Sequence, residues 1–405
     1  MTSFDTSPQL NLWRALLALA VVFLMLATTG WTAVRQSRET GALRASLSAW
    51  EDGRIGGRRL PDPHTAPDRL ARFFASLTAS QRTALARRYP LAVGNMNGAP
   101  VELRYRANRI ALREQARIER ARVHDSRLSP AGQYEAGRRL HRFEAMSGTD
   151  REILAFDPEG AGRAAEVFGD LGRAERISVV VPGVDTALLT FQRTYRRYSA
   201  PVGMAQALYR AEHAVSPATR TAVIAWADYT SPAGLGIDSA TAMRAEYGAV
   251  RLDALLRALP GRAPVSLFCH SYGSVVCGVA APALPRRVTD IAVAGSPGMR
   301  VETAAQLRTS ARVWAMRDAD DWVRDVPYLE LGGLGHGADP VSAAFGARVL
   351  SARNADGHGG YFEPGTDSLR NFAGIGTGAY LSVRCAGGDD ACRAGLSGTT
   401  AGGRA

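Results

Sequence analysis

The chain lacks the patterns that would indicate a metal or a nucleotide cofactor. Its four cysteines and seven histidines form no Cys-x-x-Cys or His-x-x-x-His cluster of the kind that holds zinc. No Walker loop or Gly-x-Gly-x-x-Gly sequence follows a predicted strand, which is where a phosphate-binding loop would lie. No internal repeat persists either. The sequence therefore predicts that the protein uses no cofactor.

Lysine is also absent, so all 49 basic residues are arginine; with 38 acidic residues the net charge is +11 and the pI is about 10. A pI this high is typical of nucleic-acid-binding domains. The excess is local, because residues 35–150 hold 22 arginines and 12 acidic residues while residues 151–405 are almost neutral. Few aromatic residues alternate with those arginines and no nucleic-acid-binding motif is present, so we expect no nucleic-acid partner.

Long apolar runs are scarce, and one stretch is long enough to cross a membrane. Residues 15–34 are uncharged and lie between Arg14 and Arg35, with Trp13 and Trp31 near the two ends. A helix of this length spans about 30 Å, the thickness of the hydrocarbon layer, and tryptophan favours its edges. The sequence predicts a retained single-pass anchor. A cleaved signal peptide and, less favoured, a buried core helix are the alternatives.

Two opposing signals leave the orientation of this anchor open. The flank after the apolar run contains Arg35, Arg38 and Arg44, and the positive-inside rule would therefore keep the main body in the cytoplasm. Cys385 and Cys392 lie seven positions apart in a Gly- and Asp-rich segment, where an oxidised pair would indicate an oxidising compartment. We favour a catalytic domain outside the cytoplasm at the cell membrane, with the Arg-rich segment near anionic lipid head groups.

Composition and periodicity divide the chain into four segments. With 46% hydrophobic and 21% charged residues, the chain can form a sizeable core. Residues 1–34 contain the tail and the anchor, and residues 35–150 form an Arg-rich helical extension with a capping box at Thr78. Residues 151–375 form the catalytic domain, and residues 376–405 form a loose Gly-rich C-terminal tail.

From residue 151 onward the pattern alternates between short apolar strands and helices. An antiparallel hairpin is predicted around the DPEGAG turn at 157–162. Such alternation is typical of an α/β fold with a mainly parallel sheet and helices on both faces. The predicted parallel strands are 177–181, 221–226, 264–269, 291–295 and 311–316, and the clearest helices are 239–259 and 274–281.

The strongest chemical signal is the sequence CHSYGS at 269–274, which follows a predicted strand and opens a predicted helix. This is the context of a nucleophile elbow, x-x-Ser-x-Gly, in an α/β-hydrolase fold. Ser271 would be the nucleophile, and Gly273 provides the small residue that the tight turn needs. Cys269 stands where glycine is usual, although cysteine is small enough to fit.

A serine hydroxyl needs a general base, normally a histidine oriented by a carboxylate, and in this fold both follow the nucleophile in the order acid, then histidine. Two histidines lie downstream, and we favour His358, in a late NADGHGGY loop, over His336. His270 adjoins the nucleophile, so we expect its side chain to point away and to pack.

The acid of the triad should lie after the strands that follow the nucleophile. The strand at 311–316 is followed by Asp318, Asp320 and Asp321. The spacing favours Asp321 as the partner of the histidine, and the other two remain alternatives; two of the three are expected to be ordinary surface residues of the loop.

The negative charge that develops on the substrate needs preorganised backbone N–H donors. One is expected from Tyr272, directly after the nucleophile. The other is expected from the PGVD loop after strand 177–181, where Gly183 lets the backbone approach and Val184 or Asp185 donates. Three residues are candidates for the lining of the substrate pocket: His336, Asp185 and Trp226.

These residues together resemble a family of largely uncharacterised α/β-hydrolase proteins that is common in actinobacteria. The similar blocks include VVVPGVDT at 179–186, AWADYTSP at 225–232, GSPG at 295–298, HGADPVSAAFGA at 336–347 and HGGYFEPGTDSLRN at 358–371. The family pattern at the elbow is usually GHSYGS, from which Cys269 departs. The resemblance implies a serine hydrolase fold with Asp321 as the acid and His358, in a late His-x-x-Tyr motif, as the base. It implies little about the substrate.

We therefore predict a membrane-anchored serine hydrolase that acts on carboxylic esters through an acyl-enzyme on Ser271. The expected partners are a small-molecule or lipid ester and the membrane. A peptidase or amidase with the same triad is one alternative, because the same chemistry cleaves amides. The other is a catalytically inactive hydrolase-fold binding module of the cell envelope, which the unusual Cys269 and the basic extension would favour.

Overall fold

The computed structural model describes residues 41–388 and 390–396. Within those residues no helix is both long enough and apolar enough to cross a membrane. The predicted anchor at 15–34 lies outside them and stays a prediction.

The segment before the sheet is helical, as predicted, apart from one short hairpin. The predicted capping box is present: the Thr78 hydroxyl accepts from the Gln81 N–H at 3.2 Å, and the Gln81 side chain accepts from the Thr78 N–H at 2.9 Å. Helices α1–α6 are Ala42–Glu51, Pro67–Ala75, Ala79–Arg88, Pro90–Asn95, Val101–Val123 and Pro130–Met146, and the hairpin pairs β1, Arg54–Ile55, with β2, Arg58–Arg59.

This helical extension packs against the first strand of the main sheet, β3 (Glu152–Asp157). Asn108 of α5 is buried, and its side-chain NH2 group donates to the Ile153 carbonyl at 2.9 Å. The Asn95 side chain donates to the Phe156 carbonyl at 2.7 Å and accepts from the Phe156 N–H at 3.0 Å. These asparagines supply hydrogen-bond partners to backbone N–H and C=O groups at the outer edge of the strand. The extension and the sheet form one compact unit.

The main sheet has eight strands within the described residues. After β3 they are β4 Arg163–Phe168, β5 Arg176–Val181, β6 Thr221–Ala227, β7 Val265–His270, β8 Val288–Ala294, β9 Arg312–Met316 and β12 Arg348–Val349, and a separate short hairpin pairs β10, Glu330–Leu331, with β11, Leu334–Gly335. Across the sheet the order is β12-β9-β8-β7-β5-β6-β4-β3. The first six strands in this order are parallel to one another, and β4 and β3 are each antiparallel to the strand before them in the order. The predicted hairpin and the predicted parallel strands are confirmed.

Helices cover both faces of the sheet, as predicted. They are α7 Pro201–Val215, α8 Ile237–Ala240, α9 Met243–Ala258, α10 Gly273–Ala280 and α11 Asp367–Thr377. Side chains alternate along each central strand, so Val180 and Phe268 pack in the layer of α7 and α11, whereas Val179 and Leu267 pack in the layer of α9 and α10. These two apolar layers fix the central strands, at whose carboxyl ends the candidate site lies.

The described part of the C-terminal segment is packed rather than loose. Cys385 and Cys392 form a disulfide, and both are buried. The Tyr380 hydroxyl donates to the buried carboxylate of Asp290 on β8 at 2.9 Å. The prediction of a loose Gly-rich tail is therefore wrong for the described residues of this segment, because apolar burial and the disulfide hold them against the sheet.

Candidate active site

Ser271 lies in the tight turn between the central strand β7 and helix α10. Its φ of +55° is a left-handed conformation that serine rarely adopts, as in a nucleophile elbow. A Cβ on Gly273 would lie 2.2 Å from the Val181 carbonyl oxygen, and one on Gly183 would lie 2.6 Å from the Ser271 Cβ. Both positions therefore require glycine, and the turn presents the serine hydroxyl at the carboxyl edge of the sheet.

Cys269, which stands where glycine is usual, forms a disulfide with Cys277 of α10. Both cysteines are buried. Their separation of eight residues leads from the end of β7, through the elbow, to the second turn of the helix. The bond therefore joins the two elements that hold Ser271. The sequence pattern did not reveal this pairing, because it depends on the way the elbow turns the chain back on itself.

Ser271, His358 and Asp321 form a continuous chain of hydrogen bonds. The Nε2 atom of His358 lies 2.9 Å from the Ser271 Oγ, and its Nδ1 lies 2.9 and 3.0 Å from the two carboxylate oxygens of Asp321. With the Nδ1 proton directed at the carboxylate, the Nε2 lone pair faces the serine hydroxyl, which donates to it. The structure thus brings together the residues that the sequence favoured as nucleophile, base and acid.

Asp321 is fully buried and accepts hydrogen bonds from more than the histidine. The Val323 N–H donates to its Oδ1 at 2.9 Å, and the Tyr361 hydroxyl donates to its Oδ2 at 2.5 Å. Burial alone would raise the pKa of Asp321, but the hydrogen bond and charge of His358, together with these donors, lower the pKa overall. The carboxylate is therefore ionised at neutral pH and can stabilise a protonated His358.

Two groups hold the loop that contains His358. The Nε2 of His270 lies 2.7 Å from the His358 carbonyl oxygen, and the Gly357 N–H donates to the Asp318 carboxylate at 3.2 Å. Burial, together with the nearby charge of His358, lowers the pKa of His270 to about 3, so its ring is neutral and its Nε2–H donates. His270 is buried and packs, as expected, but its side chain does not point away from the site, because the His358 loop lies over the end of β7. Asp320 is an exposed loop residue.

Gly295, directly after β8, leaves room for the pair formed by His358 and Asp321. A Cβ at this position would lie 2.6 Å from the Asp321 Oδ2 and 3.0 Å from the His358 Nδ1. Its φ of +54° also favours glycine. The GSPG block at 295–298 was the available signal in the sequence, but the pattern alone assigned no role to its first glycine.

The backbone N–H groups of Tyr272 and Val184 are available to an oxyanion. Across the described residues, neither donates a hydrogen bond to another group of the protein. The alternative donor, Asp185, uses its N–H on the Pro232 carbonyl at 2.9 Å, and its carboxylate accepts from the Gly234 N–H at 2.7 Å. Asp185 therefore holds two loops together and does not line the pocket, contrary to the prediction.

A cavity of about 440 Å³ opens beside Ser271. This volume lies within the range of about 300–1,000 Å³ that is usual for small-molecule sites. His336 lines it, as predicted, and the His336 Nε2 lies 2.7 Å from the Ser239 carbonyl oxygen. Burial lowers the pKa of His336, so its ring is neutral. Most of the other lining is apolar and includes Val184, Leu235, Ile237, Trp322, Val326 and Pro327.

Trp226, predicted to line the pocket, lies in the core instead. It belongs to the buried strand β6, and its ring stacks on Tyr229 at a centroid distance of 5.5 Å. The Tyr229 hydroxyl donates to the Pro182 carbonyl at 2.7 Å. The aromatic pair therefore packs against the start of the loop that contains Pro182 and Gly183, and neither ring lines the cavity.

Comparison with known families agrees with this geometry. A family model described as alpha/beta hydrolase matches residues 157–331. That span contains the elbow serine and the candidate acid and ends before the candidate base. With the mainly parallel sheet and a nucleophile elbow at its centre, the chain has the α/β-hydrolase fold.

Among individual relatives, two are uncharacterized proteins of Mycobacterium tuberculosis, from strains CDC 1551 and H37Rv. Each is 27% identical over 378 residues, which covers 79% of this chain and 57% of the relative. The chain thus spans a little over half the length of the curated relatives it matches.

Similar solved structures include a serine hydrolase without lid from Xanthomonas campestris (13% identity, 44% of this chain and 74% of that chain, TM-score 0.27). They also include the 2,6-dihydroxy-pseudo-oxynicotine hydrolase (11% identity, 62% of this chain and 81% of that chain, TM-score 0.29). Scores this low support no argument about activity.

Proposed function

We propose that the protein is a membrane-anchored hydrolase of carboxylic esters that works through an acyl-enzyme on Ser271. The observation that supports this most strongly is the unbroken chain of hydrogen bonds from Ser271 through His358 to Asp321, beside a mainly apolar cavity. Nucleophile, base and orienting acid are at hydrogen-bonding distance in the order that serine hydrolysis needs.

Acylation uses each of these groups once. The Ser271 Oγ attacks the ester carbonyl carbon as its proton passes to the His358 Nε2. The carbonyl oxygen becomes an oxyanion, which the N–H groups of Tyr272 and Val184 are placed to bind; each such donor contributes about 2.7–4 kcal/mol to lowering the barrier. Collapse of the intermediate expels the alkoxide, which takes the proton from His358 and leaves as the alcohol.

Deacylation repeats the sequence with water. His358, neutral again, takes a proton from a water molecule that attacks the acyl carbon, and the same two N–H groups hold the second oxyanion. His358 then returns the proton to the Ser271 Oγ, and the carboxylic acid leaves. The buried carboxylate of Asp321 stabilises the histidine in its protonated state in both halves of the cycle.

The lining of the cavity favours esters over peptides. A peptide brings backbone N–H and C=O groups that need partners when they are buried, and leaving them unpaired costs free energy. The cavity offers mainly aliphatic and aromatic walls, with Ser271 and His336 among its few polar side chains. An apolar acyl or alcohol group would fill it without unpaired polar atoms.

The disulfides support a location outside the cytoplasm. Both cysteine pairs of the chain, Cys269–Cys277 and Cys385–Cys392, are joined, and such bonds persist mainly in oxidising compartments. Cys269 had favoured an inactive binding module, but its disulfide gives the residue a structural role that an active enzyme accommodates. The membrane anchor and this location remain part of the proposal.

Turnover of p-nitrophenyl butyrate tests the proposal. We expect the wild type to hydrolyse it and Ser271→Ala to lose at least about 1,000-fold in kcat. Ser216→Ala, which removes a hydroxyl from the loop after α7, is the matched control and should keep wild-type rates. Equal rates for wild type and Ser271→Ala would contradict the assignment of the nucleophile, and faster cleavage of a peptide p-nitroanilide would favour the peptidase alternative.

A further inference from the structure

Large apolar side chains that face solvent are concentrated in two segments of the chain, both of which contribute residues to the cavity. Of the twelve such residues in the described part of the chain, nine lie between 235 and 250 or between 322 and 334, the two segments that also contribute to the cavity walls. Leu331 is 77% exposed and Leu235 is 74% exposed. Six of the nine, here called the rim, are Leu235, Ile237, Trp322, Leu329, Leu331 and Leu334.

The two segments form one surface. An isolated β-bridge pairs Thr241 with Leu334 and so joins them directly. Leu235, Ile237 and Trp322 belong to both the cavity lining and the exposed rim. Apolar surface is therefore continuous from the solvent-facing rim to the nucleophile. An apolar chain that extends out of the cavity would contact the apolar rim next.

The exposed leucines of the β10–β11 hairpin belong to an ordered element. Gly332 and Gly333 form its two-residue turn, with φ of +60° and +86°. The Arg300 guanidinium donates to the Gly335 carbonyl at 2.6 Å and to the Glu330 carboxylate at 2.8 Å, so the base of the hairpin is fixed to the body. Holding apolar side chains in water in this way is unfavourable unless an apolar partner covers them.

The charges beside the rim are largely paired with one another. Arg244 and Asp238 lie 2.8 Å apart, and Arg300 and Glu330 also lie 2.8 Å apart. The rim therefore has no single-signed field that would select a charged polymer. It suits an apolar surface with a neutral or zwitterionic boundary.

We infer that the rim inserts into a lipid surface and that the enzyme takes long-chain esters directly from that surface into the cavity. This inference rests on the proposed ester hydrolysis and adds the substrate class and the physical state in which the substrate is met. An apolar chain would pass from the lipid, across the rim and into the cavity without crossing water, so its desolvation cost is avoided.

A lipid surface fits the rim better than a protein partner does. Three rim residues, Leu235, Ile237 and Trp322, also line the cavity that contains Ser271, so a protein bound to the rim would obstruct the entry of substrate. A lipid surface covers the same leucines and also supplies the ester. Proteins that lie on a membrane bind it by inserting apolar side chains shallowly, at the boundary between head groups and acyl chains.

The first test measures whether the tip of the β10–β11 hairpin enters lipid. A dye at the tip reports its own surroundings, so membrane binding through the predicted anchor does not affect the result. All four cysteines of the chain are in disulfides, so Leu331→Cys introduces a single free thiol for an environment-sensitive dye. The full chain is reconstituted in phosphatidylcholine vesicles. We expect a blue shift and quenching by brominated lipid for the dye at Leu331. The same dye at Ile118→Cys, an exposed position on α5, should show neither.

The second test measures turnover with the same vesicles. Leu331→Ser/Leu334→Ser should hydrolyse dissolved p-nitrophenyl butyrate at the wild-type rate. It should lose about tenfold or more against a vesicle-embedded long-chain ester, because two leucines no longer enter the lipid. Ile118→Ser should match the wild type on both substrates.

The outcomes separate the two proposals. A water-like dye signal at Leu331, or equal vesicle turnover by the double variant and the wild type, would overturn the role of the rim while butyrate hydrolysis upheld the ester hydrolase. If the folded wild type hydrolysed neither ester, the proposed function would fail, and the dye at Leu331 would still decide on its own whether the rim enters lipid.

Discussion

Among single residues, Tyr361 links two residues of the loop after β9, Asp318 and the proposed acid Asp321. Its hydroxyl donates to the Asp321 Oδ2 at 2.5 Å and accepts from the Asp318 N–H at 2.9 Å. The ring is fully buried, so no water can replace this bond. The hydroxyl therefore helps to keep the pKa of Asp321 low and fixes the carboxylate that orients His358.

Removing that hydroxyl should change the pH dependence of the reaction. In Tyr361→Phe the Asp321 carboxylate loses a donor that lowers its pKa, so the pKa of Asp321 should rise. A protonated Asp321 cannot stabilise the histidinium that forms during catalysis, so the acidic limb of the kcat/KM profile should move upward by about one pH unit. The measurement is a pH–rate profile with p-nitrophenyl butyrate.

Tyr328→Phe is the matched control for this shift. Its hydroxyl donates to backbone carbonyls, those of Ser296 and Val323, and not to the triad. We expect its acidic limb to stay at the wild-type position. If Tyr361→Phe lowered thermal stability but did not move the acidic limb of the pH–rate profile, the hydroxyl would contribute to packing only. That result would contradict its role in lowering the pKa of Asp321.

Among elements, β7 and α10 are the pair whose geometry decides the site, and the Cys269–Cys277 disulfide joins them across the elbow. The tight turn forces Ser271 into a left-handed conformation, which costs free energy that the surrounding structure must offset. A covalent bond between the strand and the helix limits the ways in which the turn can relax. The cysteine at the usual glycine position therefore serves the elbow.

Loss of this disulfide should reduce both stability and turnover. For Cys269→Ala/Cys277→Ala we expect the free energy of unfolding to fall by roughly 2–3 kcal/mol, because a short loop is no longer closed in the unfolded chain. We also expect kcat to fall severalfold, since the elbow can relax around Ser271. Urea denaturation and butyrate turnover measure the two effects.

The second disulfide provides the control. Cys385–Cys392 has nearly the same sequence separation, seven instead of eight, and is buried in the C-terminal segment. Cys385→Ala/Cys392→Ala should lose comparable stability and keep wild-type kcat. Equal losses of kcat in both double variants would show that the effect on turnover is global and not a property of the elbow.

For the whole molecule, the sequence predicted most of the architecture because the central strands are buried on both faces. Their sequences are continuous apolar runs, and the predicted bounds 177–181 and 221–226 agree with the observed strands to within one residue. Ser271 and Asp321 lie in loops after two of the predicted strands, β7 and β9, whereas His358 follows β12, a short edge strand that the sequence did not predict. The chain order of serine, acid and histidine in this fold, together with the family resemblance, led to Ser271, Asp321 and His358.

What the sequence could not predict depends on contacts between distant segments. A tryptophan at the end of a buried strand has the same local pattern whether it faces a cavity or the core, so Trp226 was misplaced. The partner of His270 is a backbone carbonyl on a loop 88 positions later, and the Cys269–Cys277 pair needs the elbow already turned.

The proposed hydrolysis requires Ser271 to be an activated nucleophile. The most direct measurement is labelling of the full chain with a fluorophosphonate probe, followed by mass-spectrometric mapping of the modified peptide. We predict one adduct, on Ser271, that is absent from Ser271→Ala and strongly reduced in His358→Ala. A folded wild type that remains unlabelled, or an adduct on any other residue, would contradict the account.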